Sequence, residues 1–215
     1  PVEIIISGNT QLNGDLTLGG YVTITVSSGA NLEITGSIIV KKETQGNYLE
    51  TLGGTITASE ISLESGKSSA NTSLGIKGDG LGRISVMGLE INQNVGLDIL
   101  EGGDLQVTGT TNYSGNSSQI NVYGEFETQE VIIAGGGKGV ELNAYGNSNV
   151  KILGDLEIRG ESTIEFGGNS NINVSGNINV NGNSDLTSET GGLFLKDSAS
   201  LTVGGDINVD GNAAV

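Results

Sequence analysis

The chain has 215 residues and carries 25 Asp and Glu against nine Lys and Arg, a formal charge of −16 at neutral pH. That balance excludes a nucleic-acid surface, because phosphate contacts need clustered cations and only Lys41 and Lys42 stand together. With no His and no Cys, the usual catalytic triads, His bases, thiolate metal sites and disulfide frameworks are excluded, and 35% apolar content with 37 Gly and no Trp leaves a thin core of Val, Ile and Leu.

From the N-terminus, Thr10-Leu12-Gly14-Leu16-Leu18 and Leu32-Ile34-Gly36-Ile38-Val40 share one pattern, apolar positions alternating around a central Gly. Between them residues 21–26 alternate as a half-buried strand does. Residues 41–52 and 66–80 read as loops or imperfect coils. Residues 55–63 and 83–91 keep the alternation but slip phase after Ala58 and Gly88, as a one-residue bulge would. Residues 119–126 then read as one strand, followed by 140–144 and 163–166. The Gly-centred pattern returns at Val150-Ile152-Gly154-Leu156-Ile158 and, at the same interval as the first pair, at Ile172-Val174-Gly176-Ile178-Val180. A last copy, Leu201-Val203-Gly205-Ile207-Val209, follows at a longer interval, with residues 182–192 absorbing the excess. No segment has a helical period, and no apolar run approaches the roughly 20 residues needed to cross a bilayer, so no membrane insertion is expected.

A fixed period of about 22 residues predicts a solenoid, since one coil cannot bury its own apolar face and is stable only when stacked. The expected fold is all-β, a right-handed parallel β-helix (β-solenoid) of about 22 residues and three short strands per coil, with the in-phase Gly as the corner between two sheets. Nine or ten coils at about 4.8 Å each give a body on the order of 45 Å long. Residues 1–215 form a single segment. An opening on Pro1 without Met or signal peptide, and no visible cap at either end, predict adjacent coils of a longer parent chain.

Five motifs carry potential chemistry. Residues 206–212 match the first half of a calcium loop, with Asp206, Asn208 and Asp210 as alternate oxygens, but residues 177–183 repeat the strand without the carboxylates, which favours an outward polar face. The residue after each corner Gly forms a column of Asp15, Ser37, Asp155, Asn177 and Asp206. Adjacent carboxylates there could serve an acid/base pair, yet Ser37 and Asn177 interrupt them, as a solubility-driven surface would. Among 22 Asn, Asn31, Asn149 and Asn171 share one turn slot and predict an amide ladder. Thr23-Ile24-Thr25 and Thr55-Ile56-Thr57 resemble outward Thr pairs of ice-binding solenoids, a pattern the later coils do not keep. Asn71, Asn112, Asn116 and Asn173 open glycosylation sequons of the kind an Asn- and Ser-rich chain produces by chance. Arg83 and Arg159, the two arginines, have no local acidic cluster in sequence. No catalytic, cofactor-binding or metal-binding residue is assigned, and no cofactor is expected.

The spacing, Gly corners, Asn-rich turns, acidic balance and missing Cys resemble the β-helical repeat regions of filamentous-haemagglutinin-type adhesins and autotransporter passenger domains, over about two thirds of the chain. The signature elements of their secretion-recognition region are not evident. The resemblance implies an extracellular, non-enzymatic stalk or adhesive segment of a large bacterial surface or secreted protein, with a host or cell-surface glycan or protein as ligand. Two alternatives stand beside it. A carbohydrate-binding or carbohydrate-cleaving β-helix would show a groove with clustered carboxylates near an Arg or Lys. A structural segment of a phage or filament fibre would bind nothing.

Overall fold

The computed structural model describes residues 1–42, 44–65, 72–113, 115–133, 139–160, 162–182 and 192–211. These residues contain strands and turns and no helix, and the strands stack in parallel, coil upon coil, as a β-solenoid. One sheet stacks nine strands: Val2–Ile6, Val22–Val26, Asn47–Thr51, Thr72–Gly78, Val95–Ile99, Gln119–Val122, Val140–Ala144, Ser162–Phe166 and Gly192–Leu195. A second, fourteen-stranded sheet holds the other two sides of each coil. The length of a coil varies along the stack: Val2 lies opposite Val22, Asn149 opposite Asn171, and Asn171 opposite Ser200.

Because side chains alternate along a strand, each coil turns one row inward and stacks it on the row of its neighbour. Ile24, Leu49, Ile76, Ile99, Val122 and Ala144 form such a row, each at most 2% exposed. Each buried aliphatic side chain contributes about 1.5–3 kcal/mol, which offsets the chain entropy lost on coiling. Phe126, Phe166 and Tyr113 are the bulkiest members of this interior.

The corner is built in two ways. In the outer coils the chain breaks into separate strands around the repeated Gly, as in Asn31–Ile34 and Ser37–Val40, or Asn171–Val174 and Ile178–Gly182. In the four middle coils Thr55–Leu63, Arg83–Ile91, Asp104–Tyr113 and Glu125–Ile133 run unbroken round the bend, so these coils have two strands and not the expected three. Their inward phase slips there: Ile56 is followed by Ile61, and Val86 by Leu89. The bulge itself lies in Asp104–Tyr113, one residue longer than either neighbour between Val107 and Thr110 or Thr111.

Two readings left open are resolved and a third is corrected. Residues 41–52 contain the strand Asn47–Thr51, and residues 66–80 contain Thr72–Gly78, both paired into the nine-stranded sheet. Their apolar residues are few, so alternation alone under-reads them. Residues 119–126 are two strands, Gln119–Val122 and Glu125–Ile133, split by a turn at Tyr123-Gly124. Residues 66–71 and 183–191 lie outside the described residues.

Candidate functional site

The corner column is a joint between coils. Asp15 Oδ1 accepts from the Ser37 N–H at 2.8 Å, Asp155 Oδ1 from the Asn177 N–H at 2.6 Å, and Asn177 Oδ1 from the Asp206 N–H at 2.8 Å. Each side chain folds over the corner Gly of the next coil. A Cβ on Gly36 would stand 2.7 Å from the Gly14 carbonyl, one on Gly176 2.6 Å from the Gly154 oxygen, and both would meet the Asp side chain. The column is therefore not the surface decoration expected from the sequence. Its oxygens satisfy backbone donors at the point where the ladder would otherwise lapse.

Other outward groups bond along the axis in the same way. Asn171 Nδ2 donates to Asn149 Oδ1 at 3.5 Å, a weak contact, while Asn149 donates to Glu125 at 2.8 Å and Ser200 to Asn171 at 3.1 Å, so the predicted slot is a mixed ladder. Asn31 accepts from the Thr55 hydroxyl. A second ladder runs Asn143 to Asn121 to Asp98, and a third joins Gln106, Glu127 and Lys151. The Gln106 amide and then Lys151 hold the Glu127 carboxyl below its ordinary value.

The remaining motifs resolve similarly. Residues 207–211 are a strand paired with Ile178–Gly182, Asn208 donating to Asn179, so the half calcium loop is an outward strand face. Among the described residues no group of three or more Asp or Glu converges as a metal site would require. Thr25 is buried and donates to Glu50, which removes it from any flat ice-matching face. Arg83 and Arg159 do have acidic partners, Asp104 across a coil at 2.8 Å and Glu157 two residues back at 2.7 Å. Asn71 and Ser114, from two of the sequons, lie outside the described residues.

One concave feature was not foreseen. The turns from the nine-stranded sheet into the second sheet are four residues long at Asp79–Gly82, Leu100–Gly103, Tyr145–Ser148 and Gly167–Ser170, but only two at Tyr123-Gly124. The short turn is set back between its longer neighbours and leaves a cleft of about 400 Å³. Gly124 forms its floor, pressed so closely on the coil beneath that a Cβ would stand 2.5 Å from the Leu100 oxygen. Tyr123 lies in the cleft, 42% exposed, and Tyr145 backs it with ring centroids 5.5 Å apart. Burial, then Glu165, Tyr123 and Glu141, raises the Tyr145 pKa, so its hydroxyl stays protonated. The rim carries Glu101, Asp104, Glu125 and Asn147. Arg83 holds Asp104 by Oδ2, while the buried Oδ1 has no hydrogen-bond partner among the described residues.

The cleft offers an aromatic face, carboxylate acceptors and no converging metal ligands, an arrangement fit for holding a donor-rich ligand. No family model, curated protein or solved structure matches the chain.

Proposed function

We propose that the chain is a non-enzymatic stalk or adhesive segment of a large bacterial surface or secreted protein, working outside the cell. The observation that carries this reading is where the polar surface spends its bonding capacity. Asp15, Asp155, Asn177, Asp98, Glu127 and Asn171 each bond to the coil above or below, so the surface ties the stack together along its axis. Carboxylates engaged in that way are held as fixed acceptors, the opposite of what proton transfer asks of a general acid or base. A rod bonded along its axis suits the task of projecting a binding surface at a distance.

The test is adhesion of the purified chain. Beads coated with it should be retained on cultured epithelial cells above beads coated with a Gly-Ser polypeptide, and the chain should turn over none of pectin, alginate, chondroitin or β-glucan. Retention no better than the control overturns the adhesive reading, and turnover of any polymer overturns the non-enzymatic one.

A further inference from the structure

The geometry points to the cleft at Tyr123 as a binding site for a non-anionic pyranose unit of a glycan. This deepens the adhesive reading by naming a ligand and its place, although the cleft stands on its own geometry. Three observations converge. First, the cleft is built into the fold: a two-residue turn between four-residue turns leaves about 400 Å³, within the roughly 300–1,000 Å³ typical of small-molecule sites, and Gly124 at its floor packs directly on the backbone of the coil beneath. Second, Tyr123 presents an exposed ring fixed from behind by Tyr145. The C–H-bearing face of a pyranose packs on such a ring, its positively polarised hydrogens meeting the negative π face. Tyr48, within the strand Asn47–Thr51, is already occupied, with Lys77 Nζ 3.6 Å from its ring centroid. Third, the rim is rich in acceptors. No hydrogen bond or ion pair engages the exposed Glu101 carboxylate among the described residues, and Glu125, which accepts from Asn149, adds a second carboxylate.

That rim selects the ligand. Carboxylates form strong charge-assisted bonds with hydroxyl or ammonium donors, and the Asn147 amide adds a group that can donate or accept. A sugar bearing a carboxylate or sulfate would place like charges beside Glu101 and Glu125 in a chain of net charge −16, and is disfavoured. A free metal ion is a poorer occupant, because the carboxylates do not converge on one point.

The experiment is titration of the isotope-labelled chain, followed by amide chemical shifts, with manno-oligosaccharides, cello-oligosaccharides and chitosan oligomers, and with oligogalacturonate as the anionic arm. At least one of the first three should bind and shift the amides of residues 101–104 and 123–125. Tyr123→Ala should weaken that binding about tenfold or more, as loss of an aromatic anchor does. Glu101→Gln should weaken it less, and Tyr48→Ala should leave it unchanged. Folding of each variant is checked by far-ultraviolet circular dichroism, and Tyr123 is exposed enough for its removal to be tolerated. No binding by any of the three, equal binding of oligogalacturonate, undiminished binding by Tyr123→Ala, or shifts with calcium alone would each overturn the site. Running Tyr123→Ala in the bead assay separates the two ideas: cleft failure with bead retention intact leaves an adhesive segment that uses another surface.

Discussion

At the scale of single residues, the corner Gly is fixed by what its neighbours do. Gly176 has no space for a Cβ, because the Gly154 oxygen would stand 2.6 Å away and the Asp155 side chain already occupies the site on its way to the Asn177 N–H. Gly176→Ala should therefore break the joint and force the backbone apart, lowering stability by about 1–3 kcal/mol in urea denaturation. Gly8→Ala, where nothing lies within 4 Å, should change it by less than about 0.5 kcal/mol. Equal effects at both positions would remove close packing as the reason for Gly176. The sequence exposed the repeat and its bend but hid the partnership between Gly and the Asp or Asn after it. A hydrogen bond that spans a whole coil in sequence is invisible until the coils are set in register. A second small-residue column was missed for the same reason: Gly54, Gly82, Gly103 and Gly124 stack one per coil, just before the strand.

At the scale of elements, alternation identified most strands, and its blind spot is equally physical. Removing two residues from a turn leaves a period of two unchanged, so residues 119–126 kept their phase across Tyr123-Gly124 and concealed the cleft. The uneven intervals were the available signal, since the step from Asp104 to its partner Glu125 is shorter than the next one, from Glu125 to Asn149. Side-chain ladders between elements also make stability pH-dependent. Glu127 is held below its ordinary 4.5, first by Gln106 and then by Lys151, so its folded value lies below its unfolded one. Its contribution is complete above the unfolded value and is lost as pH falls through the folded one. Glu127→Gln should thus be less stable than the parent at neutral pH, the gap narrowing between about pH 5 and pH 3. Urea midpoints measured across that range check it; a gap constant with pH would mean that the ladder carries no linked proton.

For the whole molecule, stability is graded along the axis, since a stack is held by contacts between adjacent coils. Val2, Ile4 and Ile5 are 56%, 41% and 61% exposed, and Ile207 and Val209 are 46% and 44%, whereas Leu97, Ile120 and Ile164 are fully buried. Among the described residues, the first and last strands pair on one side only. Native-state hydrogen exchange should be fastest in Val2–Ile6 and Ile207–Gly211 and slowest in Val95–Ile99 and Gln119–Val122. Uniform protection from end to end would show a single cooperative unit.

The parallel ladders have a mechanical consequence. The bonds that join one coil to the next lie along the rod, so tension between its two ends loads each rung head-on and opens the stack as a zip, one coil after another. Each coil that comes away releases roughly 70–80 Å of slack, the extended length of its chain. Under a pull, such a rod yields in steps and lengthens many-fold while the coils still stacked keep their shape.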